Sequence, residues 1–166
     1  MSNPKALLTA PLTRAAFAPF GQVIETAGAH HYPINAGNCE RYHDLATIEL
    51  GGDRPRSLIS LLHSRGFELP LEVKLVERHP LGSQAFYPLS ANPFLVVVAP
   101  DEAGMPGTPL AFVTAPGQGV NIAMNVWHGV LTPIGPEADF LCVDRGGEGN
   151  NLEEHFFATP WLVRAE

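Results

Sequence analysis

Short runs of hydrophobic residues, separated by Gly, Pro, Asn and Asp, follow one another along nearly the whole chain. Such runs between turn residues are typical of β-strands. The pattern predicts strands at residues 22–25, 32–35, 40–43, 46–50, 57–63, 72–79, 84–88, 94–99, 110–114, 120–122, 126–131 and 140–144. One helical turn is expected near the start, where Thr13 can cap residues 14–17 before Pro19 ends them. Many short strands with one or two short helices predict an all-β sandwich or closed jelly-roll barrel.

Two of these strands carry informative side-chain patterns. Because side chains alternate along a strand, Val73, Leu75, Glu77 and His79 are expected on one face of the strand at 72–79. The run at 94–98 is apolar on both faces. That pattern indicates a central strand covered by a second layer of the same chain or by a partner subunit.

Composition restricts the class of protein. The chain has 166 residues, 45% of them hydrophobic, and we expect a single domain spanning residues 1–166. The net charge of −7 disfavours binding to nucleic acid. No run is long enough to span a membrane, and the N-terminus lacks the features of a signal peptide. Cys39 and Cys142 are expected to be reduced thiols in a cytoplasmic protein.

The first candidate site is the stretch from Glu77 to Gln84. Glu77 and His79 should leave the same face of a strand, and Pro80 and Gly82 should turn the chain so that Gln84 returns beside them. Inside a barrel, a carboxylate and an imidazole would need to be paired or bound to something. A solvated edge with a surface Glu and His is the alternative.

A second candidate is His128, which shares its predicted strand face with Val126 and Val130. A lone histidine on an apolar face is more often a hydrogen-bonded core residue than a ligand. Its combination with Glu77, His79 and Gln84 favours a functional site.

These residues have the spacing of the cupin motifs. Glu77-x-His79-x4-Gln84 resembles the first motif, His-x-His-x4-Glu, with two substitutions, and Trp127-His128 resembles the histidine of the second. The resemblance implies a cupin-type jelly-roll barrel. Two nitrogens and two oxygens with one negative charge suit Ni²⁺, Mn²⁺, Fe²⁺ or Zn²⁺. A metal-free site, in which Glu77 and the histidines act as general acid and base, is the alternative.

Longer stretches narrow the resemblance to one family. Residues 35–46, 75–88, 119–128 and 139–147 are similar to the ureidoglycolate lyase family. The resemblance implies a cytoplasmic homodimer of allantoin (purine) catabolism that splits (S)-ureidoglycolate into glyoxylate and urea, with nickel as the family's metal. The chain has Ile122 and Gly129 where the family often has Tyr and His.

The substrate's carboxylate needs a cation in a net acidic protein. We predict that Arg41 binds it, with Arg78 as the second candidate, because a guanidinium can hold a carboxylate through two hydrogen bonds. Tyr42, Gln84 and Asn125 are further candidates for substrate binding, and His43 is a candidate acid–base group.

Two other functions are compatible with the cupin spacing. One is a non-enzymatic cupin that binds a small organic acid without turning it over. The other is a different cupin enzyme, such as an isomerase or a dioxygenase. The family resemblance extends over far more of the chain than either alternative explains, so the lyase is our first prediction.

Overall fold

The computed structural model describes residues 4–166, and they fold almost entirely as β-strands, as the sequence pattern predicts. Within residues 4–166, one helix, α1 (Arg14–Phe17), and one 3₁₀ turn (Asn35–Gly37) interrupt the strands. The strands are β1 (Lys5–Pro11), β2 (Gly21–Ile24), β3 (His31–Ile34), β4 (Cys39–Tyr42), β5 (Arg56–Ser64), β6 (Leu71–Arg78), β7 (Gln84–Pro88), β8 (Phe94–Ala99), β9 (Asp101–Glu102), β10 (Met105–Pro106), β11 (Leu110–Val113), β12 (Gly119–Ile122), β13 (Trp127–His128), β14 (Thr132–Pro133), β15 (Ala138–Gly146) and β16 (Glu153–Arg164).

Two sheets form the body of the protein. The larger has the order β11-β1-β16-β6-β13-β8-β14, and a further pairing of β11 with β8 closes six of its strands into a barrel. The smaller has the order β2-β12-β7-β15-β5. Two hairpins, β3–β4 and β9–β10, lie outside both sheets. This arrangement confirms the all-β prediction and is consistent with a cupin jelly-roll.

The helix forms where the sequence predicts it. The backbone N–H of Ala16 donates to Thr13 Oγ1 at 3.2 Å, which satisfies one of the free N–H groups at the start of the helix. The helix is only four residues long and ends at Phe17, whose ring is fully buried against Phe20 and Phe112. Burial of that ring therefore anchors a helix too short to be stable alone.

The apolar strand β8 is buried along its whole length by the chain itself. Phe94, Val96 and Val98 pack into a core cluster that includes residues of the smaller sheet, such as Phe140. Leu95 and Val97 pack into a second cluster on the other face. The interpretation of this run as a central strand covered by a second layer of the same chain is confirmed.

Other strand predictions differ from the structure. Residues 46–50 do not form a strand: the backbone N–H groups of Thr47 and Glu49 donate to the side chains of Gln22 and Ser83, which replace strand partners. The strand expected at 126–131 is limited to β13. The N-terminal β1 and the long β16 were not predicted; β16 contains Pro160 and an irregular register beyond Phe156, both of which weaken a strand pattern.

Among residues 4–166, no helix is long and apolar enough to cross a membrane. Both cysteines are free thiols; Cys39 is exposed and Cys142 is buried.

Candidate metal centre

The two sheets bring the predicted site residues to one place. In the larger sheet, the Cα of His128 on β13 is paired directly with that of Glu77 on β6, and His79 follows the end of β6. The chain then turns and enters β7 of the smaller sheet at Gln84. One ligand atom each from Glu77, His79 and His128 lies within 4.8 Å of the others. The structure therefore brings His128, which is distant in sequence, to the neighbouring residues Glu77 and His79.

His79 is held in one orientation by a backbone carbonyl. Its Nδ1 lies 2.8 Å from the carbonyl oxygen of Asn151, which can only accept, so Nδ1 carries the proton. The ring's other nitrogen, Nε2, lies 3.1 Å from Gln84 Oε1 and 3.8 Å from Glu77 Oε1. In the neutral ring, Nε2 therefore directs a lone pair towards two oxygen atoms.

Gln84 is oriented by a carboxylate from the neighbouring strand. Its Nε2 donates to Asp144 Oδ2 at 3.2 Å. Because a carboxylate accepts, this contact fixes the NH₂ group on the Asp144 side and turns Oε1 towards His79. The amide thus presents an oxygen, not an N–H group, to the cluster.

His128 is the most deeply placed member, with 1% of its surface exposed. Its Nδ1 lies 2.9 Å from the carbonyl oxygen of Gly129, so Nδ1 donates and Nε2 has a lone pair. Nε2 is buried and has no hydrogen-bond partner in the described part of the chain. Burial lowers the pKa of His128 to about 4, which keeps the ring neutral at physiological pH. Its ring centroid is 5.2 Å from that of His79.

Glu77 supplies the carboxylate of the cluster. Desolvation by burial raises its pKa, the nearby His79 lowers it, and Glu154, on the adjacent strand, raises it further. Its side chain is 21% exposed and that of His79 is 18% exposed, so solvent reaches both. The cluster is therefore shielded on the His128 side and accessible on the Glu77 side.

The four groups form a donor set that suits a divalent cation. Two imidazole nitrogens, a carboxylate oxygen and an amide oxygen converge, and no proton donor among residues 4–166 is seen to satisfy His128 Nε2. Lone pairs repel one another unless a cation lies between them. In metal sites, the second ring nitrogen of a ligating histidine commonly donates to a carbonyl, as it does in His79 and His128. The residues present fit a metal ion.

Arg78, a predicted substrate-binding residue, contacts other side chains of the protein. Its guanidinium donates to Glu153 at 2.6 Å and to Asp101 at 2.8 Å and lies 4.3 Å above the centre of the Trp127 ring. Its side chain is 14% exposed. Substrate binding by Arg78 stays a prediction, and its guanidinium already has two carboxylate partners.

Three other predicted residues, Arg41, Tyr42 and His43, lie on or just after the hairpin strand β4. Arg41 and Tyr42 are exposed, and Tyr42 packs against the His31 ring. His43 packs against His30 and lines a separate cavity of about 360 Å³ that none of the four cluster residues lines. Within residues 4–166, no hydrogen bond, ion pair or ring contact joins these three to the cluster, and their roles stay predictions.

Asn125, the last predicted substrate-binding residue, lies in the loop that leads from β12 into β13. Its side chain is exposed and its φ of 64° is in the left-handed region. Its backbone N–H donates to the carbonyl oxygen of His79 at 2.8 Å. This bond ties the loop before His128 to the end of β6, whereas the role of the side chain stays a prediction.

Sequence reasoning missed two residues that orient the cluster, Asp144 and Asn151. Asp144 contacts Gln84 only because β15 and β7 are neighbours, a pairing that no local pattern indicates. Asn151 lies in the segment before β16, where its carbonyl accepts from His79 and its Oδ1 accepts from the N–H of Leu81. A polar residue after a Gly-rich turn was the only signal, and it is too common to be specific.

Comparisons with known proteins show to which family the chain belongs. The family model described as ureidoglycolate lyase matches residues 4–164. Ureidoglycolate lyase 2 of Rhizobium meliloti (strain 1021) is 62% identical over 153 residues, covering 92% of this chain and 94% of that protein. Ureidoglycolate lyase of Chelativorans sp. (strain BNC1) is 59% identical over 159 residues, covering 96% of each.

One solved structure, a dTDP sugar isomerase from Desulfovibrio desulfuricans G20, covers 81% of this chain and 83% of its own at 15% identity. Its TM-score of 0.48 is too low to support an argument. The family model and the relatives at 59–62% identity each extend over nearly all of the chain. The protein therefore belongs to the ureidoglycolate lyase family.

Proposed function

We propose that the protein cleaves (S)-ureidoglycolate into glyoxylate and urea, in the catabolism of allantoin, with a divalent ion held by Glu77, His79, Gln84 and His128. Family membership and the names of its relatives support the substrate. One observation carries the site: the unpartnered Nε2 of buried His128 lies in a cluster with Glu77 and His79. A cation, or a proton of the substrate, would give that nitrogen the partner that it lacks among residues 4–166.

The chemistry of the substrate defines what the site must do. Ureidoglycolate carries a hydroxyl, a carboxylate, a hydrogen and the ureido nitrogen on one carbon. Cleavage removes the hydroxyl proton, forms the C=O bond of glyoxylate, and breaks the C–N bond as the nitrogen takes up a proton. The reaction is balanced without water, oxidant or reductant. It needs a group that stabilises negative charge on the hydroxyl oxygen and a group that moves the proton.

A bound divalent ion supplies a Lewis acid that stabilises negative charge on the oxygen of a chelating hydroxy acid. His79 and His128 would hold it through their Nε2 atoms, which their Nδ1 hydrogen bonds already direct into the cluster. Gln84 offers its amide oxygen and Glu77 a carboxylate that offsets half of the ion's charge. The family resemblance favours nickel, and the donor set also suits Mn²⁺, Fe²⁺ or Zn²⁺.

The metal-free alternative uses the same residues as acid and base. Glu77 Oε1 and His79 Nε2 are 3.8 Å apart, a separation that one small substrate can bridge. The carboxylate would take the hydroxyl proton, and His79, entering the step as the imidazolium, would deliver its Nε2 proton to the leaving nitrogen. Transfer of the proton from Glu77 to His79 then restores both groups for the next turnover. His43 is the further acid–base candidate, although its ring packs against His30 away from this pair.

The remaining substrate contacts follow from the sequence predictions. Arg41 is proposed to bind the substrate's carboxylate, with Tyr42 beside it and Asn125 as a hydrogen-bonding partner for the ureido group. Arg41 and Tyr42 are exposed and project from a hairpin outside both sheets. Substitution of Arg41 by Ala should therefore raise KM more than it lowers kcat.

The family resemblance also implies a cytoplasmic homodimer, and both properties are part of this proposal. Light scattering on purified protein at several concentrations measures the mass. The expected mass is twice 17.9 kDa.

The test of the proposed activity is an assay of urea and glyoxylate released from (S)-ureidoglycolate. We expect equal amounts of both products from the wild type and none above background from a Glu77→Gln, His128→Gln double variant. A protein that binds the substrate without releasing urea would instead be a non-catalytic cupin. Turnover of another substrate class with no urea release would also reject the proposal.

A further inference from the structure

A group of four side chains lies behind the metal cluster, on the other face of the same strands. It consists of Arg78, Asp101, Trp127 and Glu153, and we refer to it as the Arg78 clamp. Arg78 lies between Glu77 and His79 in the sequence, and Trp127 immediately precedes His128. Because successive side chains on a strand point to opposite faces, the clamp and the cluster lie back to back.

Arg78 makes three contacts within the clamp. Its Nε donates to Glu153 Oε2 at 2.6 Å, and its Nη1 donates to Asp101 Oδ1 at 2.8 Å. The guanidinium carbon lies 4.3 Å from the centroid of the Trp127 ring, within the range of a cation–π contact. The planar group thus binds two carboxylates along its edge and an indole on its face, a combination that Lys cannot reproduce.

The clamp joins strands that carry different cluster residues. Trp127 Nε1 donates to Asp101 Oδ1 at 3.0 Å, so Asp101 binds both Arg78 on β6 and Trp127 on β13. Asp101 is itself fixed by the backbone N–H of Gly104, which donates to its Oδ2 at 3.0 Å. Glu153 adds β16 to the same unit, since its Cα is paired with that of Arg78. Three strands are therefore held together through one guanidinium.

This link is needed because β6 and β13 share little backbone. The only Cα partners between them in the part of the chain described are Glu77 and His128, and β13 is two residues long. A ladder this short does little to fix the separation of two strands. One further backbone bond, from the N–H of Asn125 to the carbonyl of His79, joins the loop before β13 to the end of β6. The side chains of the clamp add a constraint directly behind the residues whose ligand atoms must converge.

We infer that Arg78 is a positioning residue: by joining β6 to β13 from behind, the clamp sets the distance between His128 and the pair Glu77 and His79. The inference rests on the proposed metal site and replaces the predicted role of Arg78 in substrate binding. A positioning role requires that loss of Arg78 weakens metal binding. A substrate-binding role requires that it raises KM while the affinity for metal stays unchanged.

The experiment measures Zn²⁺ affinity by competition with a chromophoric chelator, using metal-stripped full-length protein. The variants are Arg78→Met, Arg78→Lys and Trp127→Phe, and the control is Lys74→Met. Lys74 lies on the same strand and pairs with Glu72 at 3.7 Å, but it is exposed and outside the clamp. Circular dichroism and the Tm of each stripped variant report folding separately.

We expect Arg78→Met to weaken Zn²⁺ binding about 10- to 100-fold, the range typical when a group that orients metal ligands is lost. Arg78→Lys should restore part of the loss because it keeps the charge, and Lys74→Met should stay within about twofold of the wild type. Trp127→Phe keeps a ring beneath Arg78 and loses the bond to Asp101, so it should weaken binding by a smaller factor. It tests the clamp even where Arg78→Met does not fold.

Unchanged Zn²⁺ affinity in folded Arg78→Met, or a raised KM with unchanged affinity, would overturn the positioning role and leave the proposed function intact. A lowered Tm with unchanged affinity would likewise show that the clamp only stabilises the fold. A wild-type protein that binds no Zn²⁺, Ni²⁺ or Mn²⁺ would overturn both this inference and the proposed metal site.

Discussion

Gln84 Nε2 donates to Asp144 Oδ2 across two neighbouring strands of the smaller sheet, and this bond decides which atom of the amide faces His79. An amide can present either an oxygen or an N–H group, and only the oxygen can bind a cation. Asp144 therefore controls whether Gln84 is a ligand, although it does not itself contact the cluster of Glu77, His79 and His128.

The first prediction is that Asp144→Asn weakens metal binding about tenfold, because the new amide can donate to Gln84 and allow it to rotate. Competition with a chelator measures the change. Asp139→Asn is the matched control: Asp139 lies on the same strand, is exposed, and bonds to His63 instead. Equal affinities in the two variants would show that Gln84 does not depend on Asp144.

Arg145 leads to a prediction about stability. It is buried, and it donates to the backbone carbonyls of Gly51, Asp53 and Glu148. These bonds join the loop that contains Gly51 and Asp53 to the loop that contains Glu148. Arg145→Met removes these bonds and leaves carbonyl groups without partners. We expect the free energy of unfolding to fall by about 2–3 kcal/mol, measured by chemical denaturation of the stripped protein. A change below about 0.5 kcal/mol, the range of neutral surface substitutions, would contradict this account.

The turn between β6 and β7 leads to a second prediction about packing. A Cβ on buried Gly82 would lie 2.4 Å from Cβ of Arg145, a contact that requires one backbone to move. Gly82 lies between His79 and Gln84, so the movement would displace both. Gly82→Ala should lower the Tm and also weaken Zn²⁺ binding. Gly117→Ala, where a Cβ would have open space but φ is +80°, should lower the Tm through backbone strain and leave metal affinity unchanged. If Gly82→Ala has the Tm and the Zn²⁺ affinity of the wild type, the turn tolerates a side chain and this prediction is wrong.

The two thiols should differ sharply in their reaction with Ellman's reagent. The pKa of Cys142 is raised to about 12, mainly by burial and to a smaller extent by the nearby Asp144. Its reactive thiolate is therefore scarce at pH 8. Cys39 is exposed. We expect one rapid reaction per chain at pH 8, which Cys39→Ser abolishes, and a second only in denaturant or at strongly alkaline pH. Rapid reaction of both thiols in the folded protein would contradict the burial of Cys142.

The sequence predicted the parts of this structure that depend on local pattern. Thr13 capping, the apolar strand β8, and the convergence of Glu77, His79 and Gln84 through a short turn all follow from spacing of a few residues. The strand β16 was missed because Pro160 and an irregular register obscure its alternation.

The residues that orient the cluster could not be predicted, for a physical reason. Asp144 and Asn151 reach Gln84 and His79 through contacts between segments 60 and 72 residues apart. Such contacts depend on which strands are neighbours in the sheet. The hydrophobic periodicity within each segment does not indicate the order of the strands. The contacts of Arg78 on the opposite face of the same strands could not be predicted either. The sequence does not show that Asp101 and Glu153 bind its guanidinium, which left Arg78 as a candidate for substrate binding.

The most direct test of the metal centre is a calorimetric titration of stripped protein with Ni²⁺, repeated on His128→Gln. We expect one tight site per chain in the wild type, and its loss in the variant, because buried His128 Nε2 has no hydrogen-bond partner among residues 4–166. Chelated wild type should lose urea release and regain it when the ion is added back. No stoichiometric binding in the wild type, or full activity of the metal-free protein, would contradict it.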